Sequence, residues 1–156
     1  MPVYNAERYL DCSVGSVIAQ TFTDWELICF NDASTDGSLA VLERLAASDP
    51  RIRVIDSRIN VKQGGGRNRA IREARGEYVV FLDADDSLCP ESLSLCVDTA
   101  RQRGADMVMY DYETIPGRMV SPLGRDAAEL KGDDLRRRFI LHPSPVWSAM
   151  YRRSLI

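Results

Sequence analysis

Val79-Val80-Phe81-Leu82-Asp83-Ala84-Asp85-Asp86 decides the fold, because a wholly apolar run leads directly into a group of three carboxylates. An apolar run of this kind predicts a strand buried on both faces, as in a parallel sheet covered by helices. In open α/β sheets, ligands bind beyond the carboxyl ends of such strands. Grouped carboxylates attract a hard divalent cation such as Mg²⁺ or Mn²⁺. The stretch therefore predicts a metal-chelated anion, with a phosphate ester as the first candidate, at a sheet edge.

Composition and charge place the chain among globular proteins. It has 156 residues, of which 45% are hydrophobic and 28% charged, and its net charge is −3. These values fit one domain with an ordinary core, and the negative total predicts no nucleic-acid partner. The four cysteines form no CxxC pair and no metal-finger spacing, so we expect reduced thiols in a cytosolic protein.

Hydrophobic periodicity predicts alternating strands and helices. The predicted strands are 25–30, 52–55, 77–82 and 106–112, and the predicted helices are 6–20, 36–49, 67–75 and 90–103. Short connections between them favour βαβ units, and hence an α/β fold with a mostly parallel sheet flanked by helices. Pro2-Val3-Tyr4-Asn5 resembles the end of another strand. After Ile115 the pattern weakens to a loop, a helix over 133–141 and a strand over 146–151.

The acidic group offers the first candidate site residues. If the strand persists, side-chain alternation would point Asp83 and Asp85 to the same side. Asp85 would then coordinate the metal, while Asp83 would bind nearby polar groups directly or through water. The alternative is that these carboxylates, with Asp86, are solvated residues at a turn, where Asp is common.

Two further segments lie at the same predicted edge. Asp32 ends the strand before it, and its carboxylate can accept hydrogen bonds from a nucleobase imide or amide. Ser34 or Thr35 is predicted to cap the next helix. The segment 64–67 could cradle phosphate with backbone amides, or its glycines could form a flexible loop, since GxGxxG is absent. Arg67 is the better phosphate candidate because of its guanidinium geometry.

In this order, these segments resemble family 2 glycosyltransferases of the GT-A fold. The segments that carry the resemblance are 2–5, 31–38, 67–68 and 76–86, with a weaker match at 147–155. The resemblance is strongest over residues 1–115, which implies a donor-binding subdomain there. It implies that residues 116–156 begin an acceptor-side region.

The resemblance implies that a hexose moves, with inversion, from a nucleotide-diphosphate donor to an acceptor hydroxyl, with Mn²⁺ or Mg²⁺. A UDP-sugar donor, a saccharide or lipid-linked acceptor and a role in surface polysaccharide synthesis are expected. The implied nucleotide-binding residues are Pro2, Val3, Asn5, Asp32, Arg67 and Asp83. Among them, Pro2 and Val3 would border the base that Asp32 binds. Arg67 would approach the nucleotide or its phosphates, and Asp83 would lie near the ribose or metal-bound water. Asp85 would coordinate the metal.

The chain also departs from the family pattern. The family's general base is expected beyond Ile156, and only Met1 precedes Pro2, so we expect a fragment that holds the donor site. Its incomplete first strand could favour a homodimer. The full-length form is expected at the inner membrane face.

Two other functions stay open. The chain could be a non-catalytic nucleotide-sugar-binding fragment. The segment from Leu82 to Leu88 also resembles the DxD strand end of haloacid-dehalogenase-type phosphatases, in which Asp83 would be the nucleophile and Asp85 the acid. Turnover of an aryl phosphate would distinguish that reaction class.

Overall fold

The computed structural model describes residues 1–110 and 146–156, and these form two three-stranded sheets with four α-helices. The elements in chain order are β1 (Pro2–Val3), α1 (Glu7–Ile18), β2 (Leu27–Asp32), α2 (Ser38–Ser48), β3 (Ile52–Ser57), α3 (Lys62–Glu73), β4 (Tyr78–Val80), α4 (Ser92–Arg103), β5 (Met107–Met109) and β6 (Ala149–Arg152). Short 3₁₀ turns occupy Val146–Ser148 and Arg153–Leu155. The predicted helix over 133–141 and the boundary near residue 115 lie outside the described residues.

The first sheet is parallel and has the strand order β1-β2-β3. Every residue of β2 is buried, as expected for a central strand covered by helices on both faces. Its register pairs Val3 with Asn31 and Asp32 with Ser57. The carboxyl ends of the three strands therefore meet at one edge, and the predicted α/β class with a parallel sheet flanked by helices is confirmed.

The second sheet is antiparallel, with β6 between β4 and β5. The predicted strand over 77–82, buried on both faces within a parallel sheet, is wrong in this respect. β4 covers only Tyr78–Val80, each residue is half-buried, and its partner β6 runs antiparallel. Phe81 and Leu82 are buried but lie outside the ladder. The apolar run was consistent with burial, but it contains no information about a partner strand so distant in sequence.

Helices cover the two faces of the parallel sheet. α1 and α2 bury Leu10, Val14 and Leu42 in one cluster with Cys29 of β2. Phe30, the next residue, points to the opposite face, where it meets α3. The amphipathic spacing of α1 and α2 is therefore confirmed, because their apolar stripes face the sheet.

The amino ends of α1 and α2 are joined by reciprocal hydrogen bonds. Glu7 Oε2 accepts a bond from the Gly37 amide at 2.9 Å, and Asp36 Oδ2 accepts one from the Glu7 amide at 3.2 Å. Ser38 Oγ accepts a third from the Ala6 amide. The predicted capping by Ser34 or Thr35 is wrong, since α2 begins at Ser38 and Asp36 Oδ1 accepts its amide hydrogen.

The glycines at 64–66 lie inside α3, which begins at Lys62, so neither the predicted loop nor the predicted helix start at Arg67 is correct. Gly66 lies directly over β2. A Cβ atom there would be 2.9 Å from Phe30 Cδ1 and 3.5 Å from Pro2 Cβ. The missing side chain thus lets α3 approach the sheet closely.

We expect Gly66→Ala to destabilise the protein relative to Gly64→Ala by about 1–3 kcal/mol, the usual cost of overpacking. Both changes gain the same helix propensity, but a Cβ at Gly64 meets no atom within 4 Å. Urea unfolding of both variants measures the difference. Equal stabilities would show that the ring of Phe30 yields without cost.

Candidate functional site

Asp32 lies at the end of β2 and is only 3% exposed to solvent. Its Oδ1 accepts a hydrogen bond of 2.6 Å from the backbone amide of Val61, directly before α3. Ala33, which follows Asp32, has a left-handed φ angle of 59°, and Lys62, which follows Val61, has one of 65°. Such strained backbone in residues other than glycine persists where surrounding contacts hold it and is frequent at functional sites. Asp32 thus fixes the loop between β3 and α3 at the sheet edge.

The three predicted site residues in the first strand and its loop have different surroundings. Pro2 and Val3 are buried in β1 beside Phe30 and Asn31. Asn5 is exposed, and its Oδ1 accepts a hydrogen bond of 2.8 Å from the Thr35 amide. Its φ of 50° places it in the left-handed region, where Asn is tolerated. Asn5 therefore fixes the two edge loops against each other, and its contact with a nucleotide stays a prediction.

Arg67 and Asp83 form an ion pair that the sequence did not reveal. Arg67 Nη2 lies 2.5 Å from Asp83 Oδ1, and each side chain is 17% exposed. The pair joins α3 to the segment after β4. Arg67 Nε is buried and has no acceptor among residues 1–110 and 146–156. The guanidinium predicted for phosphate and the carboxylate predicted for ribose are therefore brought together.

Residues 83–86 form a turn rather than a continuation of β4, because the Asp86 amide donates to the Asp83 carbonyl at 3.1 Å. The strand therefore ends before Asp83, and the condition under which alternation would point Asp83 and Asp85 the same way is not met. Asp85 is exposed, whereas Asp86 is partly buried. Partial burial, together with the charges of Asp85 and Asp83, raises the pKa of the Asp86 carboxyl above its usual value. The turn thus concentrates negative charge that a cation would relieve.

The carboxylates of this turn fit a divalent ion that a substrate helps to hold. The described part of the chain has no group of three or more His, Cys, Asp or Glu residues that could enclose a metal. Mg²⁺, however, is usually bound by one or two carboxylates together with substrate phosphates and water. Asp85 is an exposed oxygen donor beside two further carboxylates, so the residues present suit such a site.

α3 connects the two halves of the candidate site. Its amino end is held by the contact of Val61 with Asp32, its middle packs on β2 at Gly66, and Arg67 binds Asp83. The buried carboxylate at the end of β2 and the acidic turn after β4 are thereby fixed to one rigid element. This arrangement can hold a polar group at one end and a cation-bound anion at the other.

Asn31 is a further candidate site residue, which the sequence reasoning did not single out. It is 2% exposed and lies beside Asp32 at the strand end. Its Nδ2 donates to Asp56 Oδ1 at 2.7 Å, while its Oδ1 is buried and has no donor within 1–110 and 146–156. The available signal was a second polar residue at the end of an otherwise apolar strand.

Among residues 1–110 and 146–156, no helix is long and apolar enough to cross a membrane.

Comparisons with known proteins agree in one family. The model of "Glycosyl transferase family 2" matches residues 1–155. The chain is 32% identical over 160 residues to the putative glycosyltransferase EpsH of Bacillus subtilis, with 99% of this chain and 46% of EpsH covered. It is 33% identical over 128 residues to the Escherichia coli UDP-Glc:alpha-D-GlcNAc-diphosphoundecaprenol beta-1,3-glucosyltransferase WfgD, covering 78% of this chain and 49% of WfgD.

A similar structure is known for S. aureus TarS residues 1–349, solved in complex with UDP. The TM-score is 0.85 at 28% sequence identity, and the match covers 99% of this chain and 46% of that one. The chain thus spans about half the length of the curated relatives named above, 46% and 49%. The resemblance in sequence motifs and the GT-A fold are both confirmed. The chain belongs to glycosyl transferase family 2.

Proposed function

We propose that the whole protein is a metal-dependent, inverting glycosyltransferase of surface polysaccharide synthesis, and that residues 1–115 hold its nucleotide-sugar donor. The observation that carries the proposal is the connection, through α3, of buried Asp32 with the acidic turn that contains Asp85. One end suits a nucleobase and the other suits a cation-bound diphosphate. The names of the relatives support this, since WfgD is named for UDP-Glc and a diphosphoundecaprenol acceptor, and TarS was solved with UDP.

In this proposal Asp32 binds the nucleobase. Its carboxylate is held at the carboxyl end of β2 by the Val61 amide, so it is oriented before the nucleotide arrives. A fixed carboxylate accepts the imide N–H of uracil without first paying the entropy of side-chain ordering. Pro2 and Val3, buried in the neighbouring strand, give this side of the site rigid apolar support.

Asp85 would hold Mn²⁺ or Mg²⁺, and Arg67 would keep Asp83 in place. The bound ion would supply positive charge that stabilises the departing diphosphate. Transfer would then break the bond between the anomeric carbon and the diphosphate oxygen, while an acceptor hydroxyl attacks the opposite face and gives its proton to a general base, which inverts the configuration. We assign no general base among residues 1–110 and 146–156, and we propose that residues 116–156 belong to the acceptor side.

Calorimetric titration with UDP, GDP and dTDP, each with Mn²⁺ or with chelator, tests this proposal. We expect UDP to bind in the presence of the metal and to bind far more weakly with chelator. Absence of binding by all three nucleotides would contradict the donor site. Binding without turnover of a UDP-sugar would instead favour the alternative that this chain is a non-catalytic fragment, and turnover of an aryl phosphate would favour the phosphatase.

Asp32→Asn is expected to weaken uridine binding about tenfold or more with or without metal, since a hydrogen bond to a charged group contributes about 1.5–3 kcal/mol. The amide keeps an oxygen for the Val61 N–H, so the loop should stay in place. Titration with uridine measures the loss, and Asp98→Asn, at an exposed position on α4, serves as the control. If only the metal-dependent affinity for UDP falls, the base lies elsewhere.

A further inference from the structure

The chain between β4 and α4 carries the acidic turn but makes few hydrogen bonds within itself. β4 ends at Val80, and α4 begins at Ser92. Within residues 81–91 the backbone is joined to itself by the hydrogen bond from the Asp86 amide to the Asp83 carbonyl. A segment with so little internal bonding opens easily unless neighbouring elements hold it. The position of the acidic turn therefore depends on what the segment contacts.

α1 supports this segment through a stripe of polar side chains. Cys12 and Ser16 share one face of α1, and Gln20 follows four residues later, just beyond the end of the helix. Cys12 Sγ lies 3.5 Å from Ser87 Oγ. Ser16 Oγ accepts a hydrogen bond of 3.0 Å from the Leu88 amide. The chain that leaves the acidic turn therefore runs along α1.

Gln20 lies at the end of this stripe and is only 5% exposed. Its Nε2 donates to the carbonyls of Ser16 at 3.0 Å and Cys89 at 2.7 Å. Its Oε1 accepts a hydrogen bond of 3.0 Å from the Leu93 amide. That amide is one of the free donors at the start of α4, where the capping residue Glu91 makes no side-chain hydrogen bond. Gln20 thus joins α1, the exit of the acidic turn and α4.

Apolar contacts alone do not fix the direction of the acidic turn. Ala84 and Leu88 pack in the apolar cluster of α1 and β2, whereas α4 packs in a second cluster with Met150 of β6. The turn lies where the chain passes from one cluster to the other. Burial of apolar surface is non-directional, but hydrogen bonds require a defined geometry. The orientation of the backbone between Ala84 and α4 is therefore set by the polar contacts of Ser16 and Gln20.

We propose that Gln20, together with Ser16, is a positioning residue for the cation of the donor site. It acts through the backbone of residues 87–93, which holds Asp85 ready for the ion. The inference rests on the proposed function, because it takes Asp85 as a ligand of a cation bound with a diphosphate. A carboxylate already held in place loses less conformational entropy on binding. Loss of Gln20 should therefore weaken metal-dependent binding and spare the base, since Asp32 is held separately by Val61.

Gln20→Met keeps the length of the side chain and removes its three hydrogen bonds. We expect the Mn²⁺-dependent affinity for UDP to fall about tenfold or more, while the affinity for uridine with chelator stays within about twofold of the parent. Amide exchange at Asp86, which Gln20 does not touch, should become about tenfold faster. Ser16→Ala removes only the bond to Leu88 and should show a smaller loss of the same kind, so it replaces Gln20→Met if that variant does not fold.

Two control variants separate positioning from general loss of stability. Leu45→Ala leaves a cavity at the carboxyl end of α2, so it should lower the Tm but not the metal-dependent affinity for UDP. Gln102→Met, at an exposed position on α4, should change neither. An unchanged metal-dependent affinity in Gln20→Met, or an equal loss in Leu45→Ala, would overturn this inference alone. If the parent chain shows no metal-dependent binding of UDP, the proposed function and this inference are both wrong.

Discussion

Asp85→Ala is expected to abolish the metal-dependent part of UDP binding while leaving the fold intact. Removing one member of a close charge pair costs about 2–5 kcal/mol, which corresponds to a loss of roughly 30-fold or more in affinity. Asp85 is exposed and makes little packing contact, so the unfolding midpoint should change little. Titration of UDP into the variant, with Mn²⁺ and with chelator, measures both parts of the affinity.

The matched control for this experiment is Asp98→Ala, which removes an exposed carboxylate from α4, away from the acidic turn. It should bind UDP as the parent chain does. With chelator present, parent and Asp85→Ala should bind equally weakly. If the Mn²⁺-dependent affinity for UDP is unchanged in Asp85→Ala, the assignment of Asp85 as a metal ligand is wrong.

Arg67→Met is expected to lower the free energy of unfolding by about 2–3 kcal/mol. The change leaves Asp83 as a partly buried carboxylate without its cation. Loss of one partner costs about 3–5 kcal/mol in a fully buried pair and about 0–1 kcal/mol at the surface, and both side chains here are 17% exposed. Urea unfolding at neutral pH measures the change.

Two further variants separate this ion pair from general effects on α3. Arg72→Met removes an exposed cation from the same helix and should cost little. The double variant Arg67→Met/Asp83→Leu has no unpaired carboxylate at position 83. We therefore expect it to recover much of the free energy of unfolding that Arg67→Met loses. If the double variant is as unstable as the sum of its single changes, the two residues are not energetically coupled.

The sequence predicted α1, α2 and α4 well but not the start of α3, because apolar spacing along a helix is a local property. The predicted helix over 6–20 corresponds to Glu7–Ile18, and the one over 90–103 to Ser92–Arg103. The strand that leads to the acidic turn was predicted too long and in the wrong kind of sheet. Its partner β6 lies far along the chain, and no local pattern specifies such a pairing.

The candidate site was predicted in its parts but not in its connections. Asp32 stands at the end of β2 as expected. The pairing of Arg67 with Asp83 could not be deduced, because it depends on how closely α3 approaches the sheet, and that distance is set by Gly66 against Phe30. The three glycines suggested a loop, although their absent side chains serve close packing. Metal dependence, inversion and the roles of the individual site residues stay predictions.

The reciprocal hydrogen bonds between the amino ends of α1 and α2 also determine how the sheet edge responds to acid. Although desolvation opposes its ionisation, the hydrogen bonds that Asp36 accepts from Ser38 and Glu7 hold the pKa of its carboxyl below the usual value. Stability from this source is therefore complete above the unfolded pKa of about 3.9 and is lost only as the pH falls through the lowered value. The contacts of Asp36 with the amino ends of both helices should consequently persist in acid until the pH falls below the range in which a free aspartate titrates.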